Sequence, residues 1–163
     1  MKYFYDTEFL EDGKTIELIS IGIVAQDGRE YYAVNRDANW EAIENDAWLM
    51  TNVVAQLPIF NVQTWKFKER IRDEVPAFLT ADHTPPELWA WYSAYDHVAL
   101  AQLFGRMINL PTGIPMFTND VRSLSTWTGI DRLPKQPIGL HDALADARHA
   151  RAMYDHIMRE STR

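Results

Sequence analysis

Two Asp-Gly pairs, Asp12-Gly13 and Asp27-Gly28, cut the beginning of this chain into three strand-like runs. Asp-Gly readily adopts the left-handed backbone of a tight hairpin turn, so each pair predicts a reversal of the chain. Met1–Phe9 alternates aromatic with other residues and ends at Leu10. Thr15–Ala25 is rich in β-branched side chains, with Ile16, Ile19, Ile21, Ile23 and Val24. Tyr31–Val34 supplies the third run. Three strands joined by two short turns predict an antiparallel meander.

The pattern then changes. Polar and apolar residues at helical spacing predict helices over Trp40–Val54, Thr64–Leu79, Asp96–Ile108 and Val121–Thr128, with a loop around Pro58 and Asn61. Thr84-Pro85-Pro86 precedes a short buried strand at Leu88–Tyr92, and Met116–Asn119 reads as another. Pro134, Pro137 and Gly139 make a stiff, hinged connection to the last element. That element is a helix whose apolar stripe runs through Leu140, Ala143, Leu144, Ala147, Ala150, Tyr154 and Ile157. The sum is an α/β fold: a mixed sheet, antiparallel in its leading meander and parallel beyond it, flanked by helices. The 163 residues suit one domain over 1–163.

Composition narrows the class. Six tryptophans and a 47% hydrophobic content are ample for a core, which excludes a disordered chain. With no cysteine, disulfides, thiolate-bound zinc and thiol nucleophiles are excluded. The leading MKYFYDTEF is not a signal peptide, and no apolar run approaches the roughly 18 residues that cross a bilayer. A cytoplasmic protein without membrane attachment is the expectation. A net charge of −7 argues against a broad basic surface for nucleic acid, although carboxylates that hold divalent cations also make a chain look acidic.

Three groups of residues carry chemistry. In a strand, side chains two apart share a face, so Asp6 and Glu8 project together while Thr7 points away. Two neighbouring carboxylates near an aromatic strand are costly unless a positive charge lies between them, and a divalent cation is the natural partner. The plainer reading is a solvated strand end, and an Asp-x-Glu arises about once by chance at this acid content. Asp96 follows a strand and opens a helix, where by itself it reads more readily as an N-cap. In His141-Asp142-Ala143-Leu144-Ala145-Asp146, both aspartates share a face one turn apart. Asp142 complements the helix dipole in a first turn, whereas Asp146 lies further in and needs a partner. His141, at the edge of the hinged connection, is suited to swing over a site; alone, it reads as a surface histidine.

Order and setting join these signals. A first-strand Asp-x-Glu, a mid-chain Asp at a strand-to-helix junction and a His-x-x-x-x-Asp on the last helix resemble the DEDDh 3′→5′ exonucleases of the ribonuclease H-like fold. Asp6 and Glu8 match the first motif, Asp96 the second, and His141 with Asp146 the third. The resemblance covers essentially the whole chain. It is closest to the short, single-domain actinobacterial exoribonucleases, through Tyr5–Phe9, Glu11–Gly13, Thr15–Ser20, Leu88–Trp91 and Tyr95–Leu100.

This resemblance implies two Mg²⁺ or Mn²⁺ ions held by Asp6, Glu8, Asp96 and Asp146, with His141 as general base. Its implied substrate is an RNA 3′ end, with DNA as the rival, and its implied product is a nucleoside 5′-monophosphate. Relatives are commonly homodimers. Thr7, Phe9 and Lys135 are the expected substrate contacts: Phe9 as a stacking or wedging ring, Lys135 with Arg132 toward phosphates. The cluster Lys66, Lys68, Arg70 and Arg72 reads as a solvated helix face. Phe9 and Tyr92 depart from the residues common in the family at their positions, which bears on base and sugar preference. A catalytically silent nucleic-acid-binding module on the same fold would be expected to lack at least one of the five residues.

Overall fold

The computed structural model describes residues 1–136 and 138–162, so Pro137 of the expected hinge lies outside the described residues. The meander forms as read: β1 (Lys2–Glu11), β2 (Ile16–Ala25) and β3 (Glu30–Asn35) pair antiparallel. The first turn is closed by Asp12, whose Oδ1 accepts the backbone N–H groups of Lys14 and Thr15. Three further strands add in parallel. β4 (Trp65–Lys66) joins β3, β5 (Glu87–Ala90) joins β1, and β6 (Asn119–Asp120) joins β5. The six-stranded order is β4-β3-β2-β1-β5-β6, which puts β1 at the centre of the mixed sheet.

Helices cover both faces. The alternation of β1 sends Tyr3 and Tyr5 to one face, where they pack with Ile71, Val75 and Leu79 of α3 (Lys68–Leu79) and Leu100 of α4 (Ala94–Gln102). Phe4 faces the other side, against Val121 of α5 (Val121–Thr128) and Met153, Tyr154 and Ile157 of α6 (Ala143–Ser161). Each apolar set follows helical spacing, so burial of one stripe fixes the helix on the sheet. The short helices α1 (Trp40–Glu44) and α2 (Ala47–Asn52) close a third cluster over Ile19 and Val34.

Local predictions needed correction in several places: the strand expected at Leu88–Tyr92 is Glu87–Ala90, Leu140 of the expected last-helix stripe lies exposed ahead of α6, and four further elements differ. The helix expected over Trp40–Val54 is broken, because Asp46 caps a new helix by accepting the N–H groups of Trp48 and Leu49. Trp65 and Lys66, expected at the start of a helix, pair instead with Val34 and Asn35. The helix expected over Asp96–Ile108 starts earlier and ends at Gln102, ahead of a turn at Gly105 with φ +85°. The strand expected at Met116–Asn119 is Asn119–Asp120.

Candidate active site

Four acids meet where β1, α4 and α6 converge. Asp6 and Glu8 project from the same face of β1, as their spacing requires, and α6 lies over that face. The close approach depends on Gly22, which sits directly opposite Asp6 in the β1–β2 register. A Cβ on Gly22 would lie 2.4 Å from backbone atoms of Ala143 and Leu144, so only glycine admits the first turn of α6 here. As a result, carboxylate oxygens of Asp6, Glu8 and Asp146 all lie within 4.8 Å of one another.

Asp96 is held differently. It is buried, and its Oδ1 accepts both the backbone N–H of Thr7 at 2.8 Å and the Thr7 hydroxyl at 2.7 Å. The capping role that suits an isolated Asp at this junction does not apply. Ser93 is the N-cap residue of α4, and its own N–H is taken by Asp120 Oδ2. Asp142, in contrast, is the N-cap of α6 through the N–H of Ala145.

The electrostatics of this cluster are unfavourable by themselves. Burial raises the Asp6 carboxyl well above the usual carboxylate range, and the charges of Asp96, Glu8 and Asp146 raise it further. Glu8 is pushed up to about 8 by burial and then by Asp146, Asp96 and Asp142. Asp96 rises to about 6, chiefly through burial. Burial also raises Asp146, against the hydrogen bonds it accepts from Gln136 and from the N–H of His141. None of the ion pairs among the described residues includes any of these four acids. Crowded carboxylate oxygens with no lysine or arginine paired to them, and only the imidazoles of His141 and His149 near Asp146, are a donor set that a hard divalent cation takes, so the residues fit such an ion.

The acids form the floor of a cleft of about 800 Å³. His141 lines it with a left-handed backbone, φ +63°, and its ring meets Trp48 edge-on, centroids 5.0 Å apart. Tyr92, at φ +56°, also lines it. Two of the three positive-φ non-glycine residues among the described residues therefore belong to this cleft, as expected where backbone strain accompanies function. Phe9 is half-buried and stacked on Tyr95, ring centroids 5.6 Å apart and 15° between planes, just past an irregularity in the β1–β2 register after Glu8. Lys135 is exposed on the rim.

The fold thus gathers Asp6, Glu8, Asp96, Asp146, His141, Thr7, Phe9 and Lys135 around one cleft. Asp6, Glu8 and Asp146 form the tight cluster; Asp96 and His141 line the same cleft without adding a ligand atom to it. Arg132 is exposed and is not among the lining residues. Arg70 pairs with Glu74 one turn on, as a solvated helix face would, whereas Lys66, in β4, reaches the same Glu74 from a half-buried position. The sequence reading missed Gln136, Tyr95, Trp48, Trp91 and His149, which also line the cleft. It missed Gly22 as well, although a lone glycine inside a β-branched run was a usable sign of close backbone approach.

A mixed sheet of this order, with carboxylates at the end of its central strand and on the last helix, defines a ribonuclease H-like nuclease architecture. Within that class, the family model of the 3′-5′ exoribonuclease Rv2179c-like domain matches residues 1–158, and the chain belongs to that family. It is 52% identical over 149 residues to the 3′-5′ exoribonuclease Rv2179c of Mycobacterium tuberculosis strain H37Rv, covering 91% of this chain and 88% of the relative. The 3′-5′ exoribonuclease MT2234.1 of strain CDC 1551 / Oshkosh matches to the same extent, 52% over 149 residues. No helix among the described residues is long and apolar enough to cross a membrane.

Proposed function

We propose that this chain is a metal-dependent 3′→5′ exoribonuclease that removes nucleoside 5′-monophosphates from RNA ends, working as one catalytic domain over 1–163. The observation that carries this reading is the cluster of Asp6, Glu8 and Asp146, in no ion pair with lysine or arginine among the described residues, on the floor of an aromatic-walled cleft. Family membership supports the same activity.

Asp6, Glu8, Asp96 and Asp146 would hold two Mg²⁺ or Mn²⁺ ions, which supply Lewis-acid stabilisation of charge and a nucleophilic water at neutral pH. The remaining work falls to the chain's own groups. The His141 imidazole, beside the cluster, accepts the proton of the attacking water. Thr7 orients Asp96 through two hydrogen bonds to one oxygen. The Phe9–Tyr95 stack offers an aromatic surface to a terminal base, which tolerates any base because every base has a π-face. Lys135 on the rim meets backbone phosphate. Because the site holds its groups in place before substrate arrives, positioning contributes much of the rate.

The same reading includes a homodimer in the cytoplasm. It rests there on the family resemblance alone, and light scattering on the purified chain is its test. For the activity, 5′-labelled single-stranded RNA and its DNA counterpart are incubated with Mn²⁺, Mg²⁺ or EDTA, beside Asp6→Ala. A metal-dependent ladder shortening from the 3′ end of RNA, absent in the variant, is expected. Faster trimming of DNA would move the assignment to a DNA-directed exonuclease. Binding without cleavage of either strand would mark a silent nucleic-acid-binding module.

A further inference from the structure

Gln136 lies in the strap between α5 and α6 and takes no part in the acid cluster, yet its side chain is tied to it at close range. Its Nε2 donates to Asp146 Oδ1 at 2.6 Å and to the Gly139 carbonyl at 3.1 Å. The other oxygen of Asp146, Oδ2, accepts the backbone N–H of His141 at 2.9 Å. The Gly139 carbonyl also accepts the N–H of Asp142, the N-cap of α6. Both oxygens of one acid in the cluster are therefore bonded to the strap, and the turn carrying His141 is pinned at each end.

We propose that Gln136 is a positioning residue that couples cation binding at the acid cluster to the placement of His141. Two physical facts support the coupling. His141 holds a left-handed backbone, which a non-glycine residue keeps only when its surroundings enforce it. Its N–H bond to Asp146 and the Gln136 amide bond to the Gly139 carbonyl are the contacts that enforce the geometry of this turn. Secondly, a carboxylate that binds a cation gains from donors that fix its orientation and leave its remaining lone pairs free. An amide donor suits this role, since it orients the carboxylate without bringing a positive charge that would compete with the cation. Gln136 thus acts through Asp146 and the 139–142 turn, not on the reacting atoms.

The inference rests on the exonuclease reading only for its kinetic arm, so the test has three readouts. Gln136→Ala and Gln136→Asn are compared with the unaltered protein; the second keeps the amide but shortens its reach. Mn²⁺ titration without RNA, followed by thermal shift, should show half-saturation displaced about tenfold, the usual scale for a lost orienting partner of a metal ligand. Hydrogen exchange of the 138–142 backbone should accelerate, with the melting temperature of the metal-free protein nearly unchanged. Trimming of single-stranded RNA should lose about tenfold in kcat with KM little altered. Unchanged Mn²⁺ titration and exchange in both variants would overturn the proposal. So would a KM increase at constant kcat, which would make Gln136 a substrate contact. If the unaltered protein trims no RNA, the first two readouts still decide the coupling, independently of the activity.

Discussion

Gly22 and Ala143 touch through their backbones: a Cβ placed on Gly22 would lie 2.4 Å from the Ala143 carbonyl carbon. Gly22 is the register partner of Asp6, and Ala143 opens the helix that carries Asp146. The contact therefore sets the distance between two acids that lie far apart in the chain. Replacing Gly22 with alanine puts a methyl group into backbone, which no rotamer change can relieve. Gly22→Ala should cost at least about 2 kcal/mol, within the range of overpacked cores, and abolish the thermal shift with Mn²⁺. Melting curves with and without Mn²⁺ check both parts; a normal Mn²⁺ shift would show that α6 needs no such close approach.

Neutralising one buried acid should separate stability from activity. Asp6 is raised by burial and by the four neighbouring carboxylates of Asp96, Glu8, Asp146 and Asp142, so its charge opposes folding when no cation is bound. Asp6→Asn should raise the metal-free melting temperature by a few degrees, since about 1 kcal/mol moves Tm by about 2–4 °C at this size. It should also remove turnover. A lower Tm for the asparagine variant would contradict the repulsion argument.

The pH dependence of the metal-free protein follows from the same groups. Glu8 is raised from 4.5 to about 8 on folding, so the folded state binds its proton more tightly than the unfolded state. Its contribution to stability is present in full below the unfolded value and is lost as pH rises toward about 8. Asp96, raised to about 6, and Asp6 act in the same direction. Melting temperature should fall between pH 5 and pH 8 without metal, and saturating Mn²⁺ should flatten or reverse that slope. A metal-free slope of the opposite sign would refute the assignment of raised carboxyl groups.

Thr7 gives a cleaner test of how Asp96 is held. Thr7→Val keeps the shape and the backbone N–H bond at 2.8 Å but deletes the hydroxyl bond at 2.7 Å. The expected loss is about tenfold in kcat, with restoration by Thr7→Ser. Equal loss in the serine variant would point to packing, not to the hydroxyl.

His141 combines strain and chemistry, and two substitutions pull these apart. His141→Ala and His141→Gly should each lose at least about a hundredfold in rate if the imidazole is the general base. At φ +63°, glycine avoids the Cβ penalty of roughly 1 kcal/mol, so the glycine variant should melt higher than the alanine variant. Thermal melts and single-turnover assays read the two effects separately.

Much of this protein is legible before folding is considered. The Asp-Gly turns and β-branched runs specify the meander, because hairpins form between neighbours in sequence. Val121–Thr128 is a helix as spaced, with Asp120 capping it and Gly129 ending it at φ +71°. The facing of Asp6 and Glu8 follows from strand alternation alone. Of the basic stretch read as a solvated helix face, Arg70 and Arg72 do lie on α3 and pair with acids of that helix, whereas Lys66 belongs to β4 and is half-buried against Glu74.

What tertiary structure decided has one physical cause. The pairing of Trp65 and Lys66 with β3 overrides a helical pattern, because a strand partner 31 residues away satisfies their backbone. Asp96 bonds to Thr7 across 89 positions of sequence, where local reasoning sees only a helix start. Gln136 carries no signal within the strap, and its bond to Asp146 exists only because Gly22 lets α6 settle on β2. Turn chemistry and periodicity act over a few residues and are written in order along the chain. The distances among acids from three elements depend on which backbones can touch, and that is settled only when the sheet and its last helix pack.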